Sequence, residues 1–120
     1  MHFKEIRPIL RSSKFDESIN FYTEILGFVC NERNDDWGWA SLSRDNVEIM
    51  LAKPTQHIPF DKPNFTGSFY INTDNVDEIW EVLKTKAEIA YPLETFEWKM
   101  KEFAIYDNNG YMIQFGQDVS

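Results

Sequence analysis

An amphipathic helix is encoded by the stretch SKFDESINFYTEILG, which occupies residues 13–27. Ser13 is a candidate N-cap with Asp16 three residues later, and Gly27 is a candidate C′ residue after the last turn. Apolar residues recur between these ends at helical spacing, namely Phe15, Ile19, Tyr22, Ile25 and Leu26. The pattern predicts a helix at about residues 14–26.

The same order of elements occurs twice along the chain. Residues Ile6–Leu51 are read as a strand, the helix and then apolar segments separated by turns, and residues Thr66–Phe115 repeat that order. In the second copy Asp74 is the predicted N-cap with Asp77 at the capping-box position, and a helix is expected at about residues 75–86. The repeat predicts an α+β protein in which two half-size modules pair around a shared concave sheet.

Strands and turns are predicted from period-two patterns and from residues that tolerate positive φ. Tight hairpins are expected at 44–46 and 107–110, and a linker with three prolines lies at about residues 54–65. We therefore expect one domain over residues 1–120, with module one at about 1–55 and module two at about 66–120. The predicted strands are Glu5–Arg11, Val29–Asn34, Trp37–Ser43, Val47–Lys53, Gly67–Thr73, Ala90–Phe96, Lys99–Tyr106 and Tyr111–Gly116.

Composition restricts the class of protein. There are 20 acidic against 12 basic residues, a net charge of -8, which argues against nucleic acid as a partner and mildly favours a cationic one. No apolar run is long enough to span a membrane, and the N-terminus is too polar for a secretory signal. A lone Cys30 and two histidines exclude an intrachain disulfide and a histidine-rich metal cluster. We expect a cytoplasmic protein with neither nucleic acid nor membrane among its partners.

Several runs resemble the vicinal oxygen chelate superfamily, which includes glyoxalase I, extradiol dioxygenases and bleomycin resistance proteins. The superfamily-like runs are Pro8–Leu10, Ser18–Phe28 and Glu102–Tyr111. Similarity to the bleomycin resistance branch rests on Asp35–Trp37, Arg44–Val47 and Trp98, which lies shortly before Glu102. The resemblance implies two βαβββ modules with curved sheets in a glyoxalase/bleomycin-resistance/dioxygenase-type fold. In this branch it also implies a homodimer, with ligand crevices between the subunits.

The resemblance also implies where a catalytic metal would bind. The four metal-ligand positions of the superfamily fall on Arg7, Glu48, Ser68 and Gln114, and only Glu48 is a good ligand. A permanent cation at Arg7 would repel a divalent ion. We therefore predict no metal, no cofactor and no catalytic residue. Arg7 and Glu48 are either structural or ligand-facing. In the structural case they form a salt bridge or are two solvated charges at the sheet edge, and in the other case they face a ligand to which Gln114 also forms a hydrogen bond.

The remaining aromatic residues indicate a ligand site. Trp37 and Trp39 are expected on one strand face, and Trp98 lies in a charged segment. In the bleomycin resistance proteins, aromatic rings sandwich a flat heteroaromatic group while acidic residues meet its cationic tail. By similarity, that role falls here on Trp37 or Trp39, Tyr70 and Trp98, with Asp35 and Asp36 nearby. Alternatively, the rings fill the core or a dimer interface.

The sequence thus predicts a non-catalytic protein that binds and sequesters a planar, cationic small molecule, as an antibiotic-binding resistance protein of the bleomycin type does. One alternative is a metal-dependent glyoxalase-like lyase or dioxygenase-like enzyme. The other is a protein-interaction module that uses the exposed aromatic residues. The implied homodimer is either swapped or side by side, and the sequence does not identify the ligand. The predicted ligand-binding residues are Arg7, Asp35, Asp36, Trp37, Trp39, Glu48, Tyr70, Trp98 and Gln114.

Overall fold

Each half of the chain forms a strand, a helix and three further strands in the computed structural model, which describes residues 1–120. The order βαβββ is therefore confirmed for both modules. The chain divides into two compact units, Met1–Asp61 and Lys62–Ser120, and the division falls in the predicted linker. The element bounds are β1 Ile9–Arg11, α1 Phe15–Asn20 continued by a π-helical turn Phe21–Ile25, β2 Val29–Asn34, β3 Trp39–Arg44, β4 Val47–Ala52, β5 Phe69–Asn72, α2 Val76–Leu83, β6 Glu88–Thr95, β7 Met100–Tyr106 and β8 Met112–Asp118.

The two modules share one sheet topology. The strand order is β1-β4-β3-β2 in module one and β5-β8-β7-β6 in module two. The first strand of each module pairs in parallel with its last strand, and the other pairs are antiparallel. The last strand is therefore central, so its side chains have neighbours on both sides.

One face of each sheet carries the apolar core. In module two, Trp80 of α2 packs edge-on against Phe103 of β7 with ring centroids 5.2 Å apart, which identifies the face covered by the helix. Residues alternate between faces along a strand, so the residues between these core positions lie on the opposite face. Buried side chains on the core faces are Ala40, Leu42, Ile49 and Leu51 in module one, and Phe103, Ile105, Ile113 and Phe115 in module two.

The first helix begins differently from the sequence prediction. Its N-cap residue is Lys14, and the Lys14 backbone N–H donates to Ser12 Oγ at 3.0 Å. Ser13 does not cap the helix, so that prediction is wrong. Ser12, one position before Ser13, forms an ST turn instead: its hydroxyl oxygen accepts the Lys14 N–H just before the first helical turn.

The end of the first helix agrees with the prediction. Gly27 has φ +73°, the left-handed conformation expected of a C′ glycine. The Leu26 N–H donates to the Phe21 carbonyl at 3.2 Å, which is the wider spacing of a π-helical turn. Arg44 Nη1 donates to the Leu26 carbonyl at 2.6 Å and so satisfies one of the free groups at the helix end.

The second helix is shorter than predicted and lacks the predicted capping box. Its N-cap residue is Asn75, and no side chain of the helix start forms a cap. Instead, Gln117 Oε1 of β8 accepts the Val76 N–H at 3.0 Å. The prediction for Asp74 and Asp77 is wrong because a residue remote in sequence supplies the acceptor.

The predicted hairpins are confirmed. Asp107 Oδ1 accepts the backbone N–H groups of residues 109, 110 and 111 at 2.8, 3.0 and 2.9 Å, and Gly110 follows with φ +101°. Asp45 has φ +52° between β3 and β4.

Neither helix has the length and apolar character needed to cross a lipid bilayer.

Candidate functional site

The second module has a polar cluster on the sheet face opposite α2. Strand register aligns one residue from each strand of this sheet in a row across it. In the order β5, β8, β7 and β6, the aligned residues are Tyr70, Gln114, Ala104 and Tyr91. Glu102 lies on this same face of β7 and is only 5% exposed. A carboxylate at this depth requires hydrogen-bond partners, since burying an unpaired charge is costly.

Four side chains supply a connected set of hydrogen bonds around that carboxylate. The Tyr70 hydroxyl donates to Glu102 Oε2, and the Tyr91 hydroxyl donates to Glu102 Oε1 at 3.2 Å. Gln114 Nε2 donates to the Tyr91 hydroxyl at 2.8 Å. The Ser68 hydroxyl donates to Gln114 Oε1. We call these five residues the Glu102 network.

Both tyrosines of the network are held as neutral phenols. Burial is the largest cause that raises the pKa of Tyr70, and its hydrogen bond to Glu102 raises that pKa further. Burial also raises the pKa of Tyr91, although the hydrogen bond from Gln114 acts in the opposite direction. Ionising either phenol would place a second negative charge beside the carboxylate, so both remain donors at neutral pH.

Gly116 makes the approach of Tyr70 to Glu102 possible. Strand β8 lies between β5 and β7, so the Tyr70 side chain must cross β8 to reach Glu102. A Cβ atom on Gly116 would lie 1.9 Å from the Tyr70 hydroxyl oxygen. The absence of a side chain at this position therefore permits the crossing.

Aromatic rings extend the Glu102 network toward the loop between β6 and β7. The Tyr91 and Phe96 rings meet edge to face, with centroids 6.0 Å apart and an interplanar angle of 84°. The Phe96 and Trp98 rings are stacked, with centroids 4.7 Å apart and an angle of 7°. Trp98 is 59% exposed. The arrangement leads from a buried carboxylate to an exposed indole.

Module one carries an ion-paired cluster instead. Arg7 Nε lies 2.7 Å from Glu48 Oε2, and Arg7 Nη2 lies 3.1 Å from Glu5 Oε1. The hydrogen bond with Glu5 is the largest cause that raises the pKa of Arg7, and the hydrogen bond with Arg7 is the largest cause that lowers the pKa of Glu5. Glu48 Oε2 is buried without an aligned hydrogen-bond donor. Arg7 and Glu48 thus form an ion pair, although Arg7 precedes β1 instead of lying on the predicted strand Glu5–Arg11.

Trp37 and Trp39 do not share a strand face. Trp37 lies in the turn before β3 and is 81% exposed, whereas Trp39 begins β3 and is half-buried. The prediction is wrong because Gly38, with φ +66°, turns the chain between the two tryptophans. The Trp39 indole N–H points to Met50 Sδ at 3.2 Å.

The two acidic residues before Trp37 differ in their surroundings. Asp35 Oδ1 lies 2.7 Å from Arg33 Nε, so its charge is already paired. Asp36 is exposed in the turn. Both residues belong to module one, together with Trp37, Trp39, Arg7 and Glu48.

The structure therefore joins three of the predicted residues within module two. Tyr70 and Gln114 belong to the Glu102 network, and Trp98 reaches it through Phe96 and Tyr91. No pattern in the sequence marks Glu102, Tyr91 or Phe96 as a site residue. The available signal was the alternation of Glu102 and Ala104 with apolar Phe103 and Ile105, which places a charged residue on the face opposite the core.

Comparison with known families agrees with the fold. Residues 2–115 match the model of the Glyoxalase/Bleomycin resistance protein/Dioxygenase superfamily. The chain belongs to this superfamily.

Solved structures of the superfamily share the whole architecture. A glyoxalase/bleomycin resistance protein/dioxygenase from Nocardioides has a TM-score of 0.81 at 17% identity, over 100% of this chain and 87% of that one. The bleomycin resistance determinant encoded on transposon Tn5 has a TM-score of 0.76 at 22% identity, over 97% and 98%. At these identities the similarity establishes the fold.

One curated relative is much longer. The chloroplastic latent form of polyphenol oxidase from Prunus armeniaca is 27% identical over 79 residues, which are 62% of this chain and 13% of that protein. The chain therefore spans a small part of that relative.

The residues at the superfamily's metal positions do not fit a divalent ion. Arg7 is ion-paired with Glu48, and the hydroxyl of Ser68 donates to Gln114. A guanidinium and a neutral hydroxyl are poor donors to a hard or borderline cation. No three His, Cys, Asp or Glu side chains lie close enough together to hold a metal ion.

Proposed function

We propose that this protein binds a planar, cationic small molecule and sequesters it without transforming it, as a resistance protein of the bleomycin type. The single observation that carries the proposal is the stacked Phe96–Trp98 pair, whose exposed indole leads inward to Glu102 through Tyr91. A flat ligand stacked on Trp98 would extend an existing series of rings. Its positive charge would be attracted by the net negative charge of the chain.

Stacking on Trp98 accounts for the choice of a planar ligand. An aromatic contact contributes about 0.5–1.5 kcal/mol beyond the burial of apolar area. The Phe96 ring supports the inner face of the indole, so the side chain loses less freedom when a ligand binds its outer face. A supported ring is a better platform than an isolated one.

Charge accounts for the preference for a cation. The chain carries a net charge of -8, which raises the local concentration of cations near its surface. Glu102 adds a buried negative charge at the inner end of the ring series. Indole and phenol rings also attract cations over their faces.

Sequestration requires binding alone. Ligand held by the protein is unavailable to its target, and protection is limited by the concentration of the protein relative to the dissociation constant of the complex.

We also propose a cytoplasmic homodimer, which the bleomycin resistance branch and the free thiol of Cys30 support. Sedimentation equilibrium that returned the mass of a monomer would contradict the dimer.

The proposal is tested by calorimetric titration with 2-naphthylmethylammonium, a planar cation, in buffer containing EDTA. We expect the native chain to bind the probe and Trp98→Ala to weaken binding about tenfold, because the stacking surface is lost. Trp98→Phe is the matched control, since it keeps a ring at the position and should retain most of the affinity. Melting temperatures establish that the variants remain folded.

Four results would contradict the proposal or the position of its site. Absence of binding by the native chain is the first, and equal affinity of the native chain and Trp98→Ala is the second. Stoichiometric Zn, Ni, Mn or Fe in protein purified without chelator, with turnover lost in EDTA, would favour the metal-dependent enzyme. A loss of affinity in Trp37→Ala in place of Trp98→Ala would move the site to the turn of module one.

A further inference from the structure

The direction of every hydrogen bond in the Glu102 network is set by the carboxylate. A carboxylate can only accept, so Tyr70 and Tyr91 must both donate their single hydroxyl hydrogen to it. Tyr91 has then no hydrogen left for Gln114 and must accept from the amide nitrogen. The amide oxygen of Gln114 consequently faces Ser68, whose hydroxyl must donate.

This direction leaves lone pairs free on the hydroxyl oxygens. Each hydroxyl has one hydrogen and two lone pairs, and the hydrogens of Tyr70 and Ser68 are already used within the network. Tyr70 is 40% exposed, and Ser68 is half-buried. A ligand that reaches these oxygens therefore meets acceptors backed by a buried negative charge.

We propose that the Glu102 network recognises a cationic group that carries N–H hydrogens, such as a primary ammonium, amidinium or guanidinium, and discriminates against quaternary ammonium. The inference rests on the proposed function and adds the chemical class of the ligand's charged group. Tyr70 contacts the ligand, whereas Glu102 acts as a positioning residue that holds the Tyr70 hydrogen away from it.

The preference distinguishes this site from a simple aromatic cage. Rings that attract a cation over their faces accept a quaternary ammonium readily, because that contact needs no hydrogen-bond donor. A hydroxyl acceptor beside a buried carboxylate favours the cation that can donate, since a hydrogen bond to a charged group is stronger than a neutral one. The affinity ratio between two cations of equal charge and ring therefore reports the Glu102 network.

The experiment compares 2-naphthylmethylammonium with (2-naphthylmethyl)trimethylammonium by calorimetry. The two probes share the ring and the charge and differ in the N–H hydrogens. We expect the native chain to bind the primary ammonium at least about tenfold more tightly. Tyr70→Phe removes the hydroxyl acceptor, and Glu102→Gln introduces an amide donor that turns one hydroxyl hydrogen outward, so either variant should bring the ratio close to one.

Glu24→Gln is the matched charge control. Glu24 is exposed in module one, and its replacement removes one negative charge without touching the network. Both probes should weaken by the same small factor in this variant, and the ratio should stay at its native value. The ratio, unlike an affinity or a melting temperature, is insensitive to a general loss of charge or stability.

The outcomes separate this inference from the proposed function. If the native chain binds both probes equally or prefers the quaternary one, the inference is overturned and the proposed function stands. An unchanged ratio in both Tyr70→Phe and Glu102→Gln, with lowered melting temperatures, would assign the network a structural role only and would also overturn it. If the native chain binds neither probe, the proposed function fails and the inference fails with it.

Discussion

The two modules share one strand order but treat their charges differently. In module one, Arg7 lies between Glu5 and Glu48 in a partly exposed cluster. In module two, Glu102 is buried and accepts hydrogen bonds from Tyr70 and Tyr91. Water screens the first cluster, so its ion pairs add little to stability. The second cluster has no such screening, so each broken hydrogen bond is costly. Burial, not fold, separates the chemistry of the two sheet faces.

The largest effect is expected from Gly116→Ala in module two. The new Cβ atom would displace the Tyr70 hydroxyl and leave Glu102 with one of its two tyrosine donors. We expect the free energy of unfolding to fall by about 2–4 kcal/mol, which combines steric crowding with a buried acceptor left short of a partner. Urea unfolding followed by circular dichroism measures this change.

The matched control is the same substitution in a Tyr70→Ala background. The side chain that collides with the new methyl group is then absent, so Gly116→Ala should cost much less there than in the native chain. Equal costs in the two backgrounds would show that Tyr70 does not cross over Gly116. The comparison is a double-mutant cycle on one pair of residues.

A comparison of two carboxylates tests the contrast between the modules directly. Glu102→Gln leaves an amide with one accepting oxygen and one donating nitrogen, so only one of the two tyrosine hydrogen bonds can remain as it is. We expect the free energy of unfolding to fall by about 2 kcal/mol. Glu48→Gln removes an ion pair between two partly exposed side chains and should cost less. Thermal and urea unfolding of the two variants supply the measurement. A larger loss for Glu48→Gln would reverse the assignment of the buried charge to module two.

Alkaline pH should weaken module two selectively. The pKa values of Tyr70 and Tyr91 are raised in the folded chain above the value of about 10 for a free phenol. The folded state therefore binds more protons than the unfolded state above that pH, and the free energy of unfolding falls as pH rises. Tyr70→Phe should flatten this fall. A slope above pH 10 identical in the native chain and the variant would refute the assignment.

The smallest effect is expected from module one at acidic pH. The pKa of Glu5 is lowered by Arg7 in the folded chain, so its contribution is present above the ordinary pKa of 4.5 and is lost as pH falls through the lowered pKa. Glu5→Gln should remove this part of the acid slope, and added salt should remove it as well, because the cluster is exposed. An acid slope that resists salt would indicate a buried partner.

The regular parts of the fold could be predicted because their signals are local. The strand Val29–Asn34 has the predicted bounds, and Gly27 has the predicted left-handed conformation. Alternation of apolar and polar residues depends only on neighbours in sequence, and so does the spacing of helical residues. The predicted strand Trp37–Ser43 begins two residues earlier than β3, because the positive φ of Gly38 cannot be deduced from composition.

The site could be predicted only in part, because its contacts join distant positions. Tyr70 meets Glu102 across strand β8, and this depends on the register of two strand pairs. Tyr91 reaches Glu102 from β6, where the register shifts on both sides of Tyr91. A shift of one residue reverses the face of a strand, so sequence patterns alone could not bring these side chains together.

The position of the ligand site is tested by an NMR titration of the native chain with 2-naphthylmethylammonium. The titration is read from the indole N–H signals of Trp37, Trp39, Trp80 and Trp98 after assignment by substitution. We expect the Trp98 signal to move to saturation while those of Trp37 and Trp39 stay in place, because the ligand stacks on the indole of Trp98 in module two. Movement of the Trp37 or Trp39 signal with a stationary Trp98 signal would contradict it.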